Sequence, residues 1–284
     1  MTRTRFIKII AGIICLILII SIPIIWIYQK TNPGTCLFGL NTQSDSNEII
    51  LTSCGTEDLG EVLSKVRTAI VYIYGKRTKP KPEPTNDSIM FTPSSLTGDK
   101  MGSGIIFDSR GFIITNYHVI ENTSDIKVRL FNEPDTNYSC NIIETAPDKD
   151  LAIIQIHTGY VLQTAKIGNS DMQEVAEEVL AVGCPFSLEQ SVSHGIISDL
   201  KRTVTIEGRQ YVDLIQTDAV INSGNSGGAL VNMNGEVIGI NVAIYAPTRV
   251  YCGVGFAIPI NQAKLLIMKI QYQGNSLAGQ AISM

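Results

Sequence analysis

The chain has 284 residues, 22 Lys and Arg against 26 Asp and Glu, and a formal net charge of -4, with 44% hydrophobic and 17% charged residues. That balance, with no basic stripe, argues against nucleic acid as a partner. There is no Cys-x-x-Cys, no His-Glu-x-x-His and no phosphate-binding loop, so neither a metal nor an organic cofactor is expected.

The first eight residues are basic (Arg3, Arg5, Lys8), and Ile9 through Tyr28 then contains no charge and is dominated by isoleucine and leucine. Twenty helical residues span about 30 Å, enough to cross the hydrocarbon core of a bilayer. The expectation is a transmembrane anchor over 9–28. A short cytoplasmic tail (1–8) precedes it, and the rest of the chain lies on the extracytoplasmic side, as the positive-inside rule requires. Gln29-Lys30-Thr31-Asn32 lacks the small residues of a cleavage site, and Cys15 and Cys36 follow Ile14 and Thr35, which argues against a cleaved or lipidated signal. Residues 29–58 are polar and turn-rich and read as a tether. Within it Cys36 and Cys54 are the first pair to test for a disulfide, whereas Cys140 and Cys184 read as isolated thiols.

From Val62 to Pro259 the chain gives many short Val/Ile-rich runs. Turn signals separate them, such as Asp108-Ser109-Arg110-Gly111, Asn132-Glu133-Pro134-Asp135 and Asn232-Met233-Asn234-Gly235. That is an all-β pattern, and it predicts a domain over 59–272. Lys76 to Lys100, with Lys79-Pro80-Lys81-Pro82-Glu83-Pro84, reads as a long loop interrupting it. Asn261 to Tyr272 reads as a closing helix whose apolar face carries Ala263, Leu265, Leu266, Ile267, Met268 and Ile270. Residues 273–284 are left as a short tail.

Gly224-Asn225-Ser226-Gly227-Gly228 sets a serine in a turn of small residues, where its hydroxyl and neighbouring N–H groups are accessible. A serine nucleophile with amides converging on a developing oxyanion needs that arrangement. It also needs a base, and the chain has only three histidines. His157 sits in an alternating strand and His194 beside Gly195 at a strand edge. His118 closes Gly111–Ile120, where an apolar strand ends at Thr115 and Asn116 and a side chain emerges onto a loop. The carboxylate that would orient the imidazole is Asp148, Asp150 or Asp218. Asp150 stands at the mouth of the apolar run Leu151–Ile154, while Asp218 could instead brace the serine loop.

With histidine, aspartate and serine in that order, the sequence resembles the HtrA/Deg family of chymotrypsin-like serine proteases. The resemblance rests on Gly102-Ser103-Gly104-Ile105-Ile106, Thr115–Val119, Asp150-Leu151-Ala152, Val182–Phe186, Gly195–Ser198, Ile215–Ala219 running into Gly224–Leu230, Gly239-Ile240-Asn241 and Phe256–Pro259. Together these cover nearly everything from Glu61 to Lys269.

The resemblance implies a chymotrypsin-like double six-stranded antiparallel β-barrel, with His118 as general base and acid, Asp150 as its orienter and Ser226 as nucleophile. It also implies an oxyanion hole from the N–H groups of Gly224 and Ser226 with Asn225 between them. Val220 falls at the floor of the substrate pocket, beside Asn241 and Val242, and its apolar side chain implies cleavage after small aliphatic residues rather than Lys or Arg. Substrates would be unfolded or membrane signalling proteins, and a homotrimer through the Phe38 region is a family trait. Arg202 aligns with a loop arginine that relays activation in relatives. Most members carry a PDZ domain after the protease domain, and the dozen or so residues after Tyr272 are too few for one. The rival reading is a catalytically latent binding or chaperone module on the same fold.

Overall fold

The computed structural model describes residues 58–79, 90–91, 100–184, 190–206, 209–222, 224–245 and 253–281. The chain divides into two units, Met1–Thr56 and Glu57–Met284, and every described residue belongs to the second. The expected basic tail, the 9–28 anchor, the body of the tether, the Cys36–Cys54 pair and the Phe38 region therefore lie outside the described residues. Among the described residues no helix is long and apolar enough to cross a membrane.

Helix α1 (Leu59–Val66) begins at Asp58, whose carboxylate accepts the Gly60 N–H at 2.9 Å, and it buries Val62 and Val66, one turn apart. Strands β1 (Ile70–Arg77), β2 (Met90–Phe91), β3 (Lys100–Asp108), β4 (Phe112–Asn116), β5 (Thr123–Leu130), β6 (Glu133–Ala146) and β7 (Leu151–Ile156) follow. All but β2 close a six-stranded barrel in the order β1-β3-β4-β7-β6-β5. At its centre β4 pairs with β7, Ile113 opposite Ile154 and Ile114 opposite Ile153, and all four side chains are buried. Both faces of this pair are covered, which is why the sequence there reads as continuous apolar runs rather than alternation.

The second body uses β8 (Lys166–Ile167), β9 (Glu178–Gly183), β10 (Ser191–Ile206), β11 (Arg209–Thr217), β12 (Ala229–Asn232), β13 (Glu236–Tyr245) and β14 (Gly255–Pro259). Their order is β12-β9-β10-β11-β14-β13, and β12 also pairs with β13, so these six return on themselves. Two short additions make the sheet eight-stranded rather than the expected six: β8 runs parallel to β13, and β2 pairs antiparallel through Met90 with Tyr245 and Phe91 with Ile244. The expected loop over 76–100 thus carries a two-residue strand that joins the second sheet. Two residues carry no periodicity, so the sequence gives no signal for it.

Between β4 and β5 the chain makes the four-residue helical turn α2 (Tyr117–Ile120), and the closing C-terminal helix α3 covers Ile260–Ala281. The latter runs nine residues beyond the predicted end, through a segment that contains no proline to stop it. Its buried stripe is Ile260, Ala263, Ile267 and Ile270, with Leu266 partly covered, whereas Leu265 and Met268 are 72% and 60% exposed. Spacing by three and four, not apolar content, selects the face. Cys184 is buried and Cys140 half-buried, and both are free thiols.

Candidate active site

The end of β4 and the start of β7 build one half of the site. Asp150 follows a single 3₁₀ turn, Pro147–Lys149, and adopts the left-handed conformation at φ 54 and ψ 39. That backbone is strained for a residue with a Cβ, and it is held by bonds from the β4 terminus. Its carbonyl accepts the Tyr117 N–H at 3.0 Å and the Asn116 side-chain amide at 3.2 Å. Its carboxylate is fully buried and accepts the His118 N–H at 2.9 Å on Oδ1, while Oδ2 lies 2.6 Å from His118 Nδ1. Burial pushes the Asp150 carboxyl up, but the His118 charge and hydrogen bonds, joined by Arg209, outweigh it and hold Asp150 below the usual carboxylate value. An ionised carboxylate only accepts, so the hydrogen sits on Nδ1 and Nε2 is the basic nitrogen.

The sign of that shift fixes an acid response. A lowered folded value means that Asp150 contributes its full stability above the unfolded carboxylate range, about pH 4, and loses it as pH falls through the lower folded value. Thermal unfolding followed between about pH 5 and 2 is therefore expected to show a loss of stability that Asp150→Asn removes. A variant with the same acid slope as the parent would refute the assignment.

The serine comes from the turn between β11 and β12. Ser226 is buried and its hydroxyl donates to the Val242 carbonyl at 3.2 Å. Asn225 N–H donates to Asn222, Gly227 N–H to Asn241 and Gly228 N–H to Asn225. Among the described residues the Gly224 and Ser226 N–H groups donate to no backbone carbonyl. Asn225 is tied by its side-chain amide to the Val220 carbonyl at 3.3 Å.

Val220 is 38% exposed, the one apolar side chain of the expected pocket that reaches the surface. Asn241 and Val242 are fully buried. Asn241 donates to the carbonyls of Ala229 and Val182 at 2.9 and 3.5 Å, and Val242 offers the site its carbonyl rather than its side chain. The rival candidates stand in different surroundings: Asp148 and His157 are exposed, and exposed His194 Nε2 lies 3.5 Å from Glu178. Asp218 is exposed too and accepts the Ile196 N–H at 2.7 Å, a brace of β10. Arg202 lies on β10, paired with Asp199 at 3.0 Å and Gln216 at 3.0 Å.

Three participants escaped the sequence reading. Arg209 Nη1 lies 2.5 Å from Asp150 Oδ1, and the Tyr211 hydroxyl donates to Oδ2 at 2.9 Å. Both come from β11, some sixty residues along the chain, and no local pattern announces them. Ser103 lies inside a quoted motif but without a role. Its buried hydroxyl donates to the Gly224 carbonyl at 2.6 Å and accepts the Cys184 N–H at 2.8 Å, and its N–H donates to the Ser226 carbonyl at 2.8 Å. One residue of the first barrel thereby ties the serine turn to the end of β9. Ser103→Ala orphans a buried carbonyl and a buried N–H and is expected to destabilise the fold by about 2–4 kcal/mol, read as a lower denaturant midpoint with unchanged slope. An unchanged midpoint would mean that Ser103 braces nothing.

Residues 102–240 match the family described as trypsin-like peptidase domain. The magnetosome formation protease MamE of Paramagnetospirillum magneticum is 44% identical over 177 residues, 62% of this chain and 24% of that protein. The periplasmic serine endoprotease DegP of Escherichia coli is 42% identical over 181 residues, 63% of this chain and 38% of that protein. The solved HtrA-type protease AlgW with tripeptide superposes with a TM-score of 0.64 at 31% identity, covering 77% of this chain and 65% of that one. The chain spans about a quarter to two fifths of the length of these two curated relatives. Residues 102–240 thus form a trypsin-like peptidase domain homologous to those of MamE and DegP, and the closed six-stranded barrel goes with a structural likeness to the HtrA-type protease AlgW.

Proposed function

We propose that this chain is an endopeptidase that uses Ser226 as nucleophile, His118 as general base and acid and Asp150 as orienter. The observation that carries this reading is the buried Asp150–His118 contact at 2.6 Å, which commits Nδ1 to the carboxylate and leaves Nε2 to take a proton. His118 removes the Ser226 proton as Oγ attacks the peptide carbonyl. The N–H groups of Gly224 and Ser226 stabilise the oxyanion, and the imidazolium then protonates the leaving amine. Water, deprotonated by the same nitrogen, hydrolyses the acyl-enzyme.

Val220 supports a preference for small aliphatic residues before the cut, since no carboxylate stands there to pair a cation. The tripeptide in the AlgW structure supports a peptide ligand. DegP is named as periplasmic, which agrees with an anchored enzyme whose protease domain is extracytoplasmic and whose substrates are unfolded or membrane signalling proteins. Trimer formation belongs to the same proposal.

One observation favours a latent resting state as a second reading. The Ser226 hydroxyl donates to the Val242 carbonyl, so its proton must leave that carbonyl before it can pass to the imidazole.

The test is cleavage of an unfolded protein by the full chain, with cut sites mapped by mass spectrometry and Ser226 labelled by a fluorophosphonate. Cuts after Val or Ala together with labelling support the reading. Labelling without cleavage supports latency, and absence of both, with added peptides present, refutes catalysis.

A further inference from the structure

We propose that Arg209 and Tyr211 are positioning residues for the Asp150–His118 pair: a strand of the second sheet clamps a carboxylate of the first barrel, fixing its orientation and with it the direction of the imidazole. The inference rests on the catalytic reading above and deepens it.

The two oxygens of Asp150 accept four donors. Oδ1 takes the His118 N–H and Arg209 Nη1, and Oδ2 takes His118 Nδ1 and the Tyr211 hydroxyl. With donors from opposite sides on both oxygens, the carboxylate cannot rotate without breaking bonds that burial makes costly to lose. Both clamp residues reach the site from β11, two positions apart and hence on one face of that strand. The seating of β11 on the first barrel therefore sets where the imidazole points.

Charge gives the second consequence. If imidazole alone faced Asp150, protonation of His118 would collect the whole attraction of the carboxylate. Arg209 already compensates that charge, so removing the guanidinium strengthens the pull of the carboxylate on an imidazolium. The groups around the pair agree with this balance. Burial lowers the Arg209 guanidinium while Asp150 raises it, the net being upward, so Arg209 stays charged. Burial, then the Asp150 charge, pushes the Tyr211 phenol up, so it remains a donor. From the turn after β4, the Tyr117 ring lies 5.9 Å from the Arg209 guanidinium and Glu121 adds a weaker attraction to it. Asp148 and Lys149, preceding Asp150, are exposed.

The test compares wild type, Arg209→Met, Arg209→Lys and Tyr211→Phe in the full chain. The first readout is kcat/KM against pH. The second is the imidazole NMR titration of His118 in a Ser226→Ala background, where only two other histidines compete. In Arg209→Met both the acid limb and the titration are expected to move up by roughly half a pH unit or more, with Arg209→Lys restoring most of the shift. Tyr211→Phe is expected to lower kcat about fivefold with KM unchanged. Superimposable limbs and titrations in a folded Arg209→Met overturn the proposal. Should that variant not fold, Arg209→Gln carries the same comparison. A wild type that neither cleaves nor labels refutes the catalytic reading alone, and the NMR titration still decides the clamp.

Discussion

Ser226→Ala is expected to lower kcat by on the order of a millionfold and to leave the folded protein nearly as stable as before. The two halves of that expectation have separate grounds. In the resting structure the hydroxyl makes one bond, to the Val242 carbonyl at 3.2 Å, and the neighbouring backbone is held by other atoms: Ser226 O by the Ser103 N–H and Gly227 N–H by Asn241. Loss of a single neutral bond of that length costs about 0.5–1.5 kcal/mol. The chemistry, by contrast, has no second nucleophile. KM is expected to change little, because the oxyanion amides and the Val220 surface remain. Adding His118→Ala to Ser226→Ala is expected to cost almost nothing further, since a base with no hydroxyl to activate has no work left. Additive losses in the double variant would show that these residues do not act as one unit.

The serine turn, the histidine at the end of β4 and Asp150 at the mouth of β7 were legible because each is a local pattern: small residues around a hydroxyl, or a polar side chain where an apolar run ends. The physical reading alone left Asp148, Asp150 and Asp218 open, and the family resemblance chose among them. Burial is what distinguishes them in the structure, since Asp150 alone is enclosed. The all-β class was legible from short Val/Ile runs, whereas the barrels came from the family resemblance. The eighth strand of the second sheet was not, because β2 is two residues long and its partner lies more than 150 positions away. Arg209 and Tyr211 were illegible for a related reason. A side chain that completes a site across two sheets leaves no spacing in the sequence, only an arginine and a tyrosine on a strand. Asn241 and Val242 are adjacent on β13 and both are buried, so alternation along the strand gives no pattern that separates a pocket-lining side chain from a core one there.

Gly227→Ala is expected to be a severely damaging addition of a single methyl group to this fold. Gly227 has φ +82, a conformation that costs a residue with a Cβ about 1–2 kcal/mol. A Cβ there would also run into the Ser103 carbonyl oxygen and Thr115 Oγ1, far inside contact distance. Neither can yield easily, because Thr115 donates to that same carbonyl at 2.7 Å and Ser103 anchors the Gly224 carbonyl. The glycine is thus the gap through which β3 of the first barrel approaches the serine turn. Gly253→Ala separates strain from collision: its φ is +85, yet among the described residues nothing lies within 4 Å of the added carbon. Denaturant unfolding is expected to show a loss of about 1–2 kcal/mol for Gly253→Ala and more than about 4 kcal/mol for Gly227→Ala, with cleavage failing only in the latter. Equal losses in the two variants would mean that backbone conformation alone fixes Gly227, and that the barrels do not meet tightly at the serine.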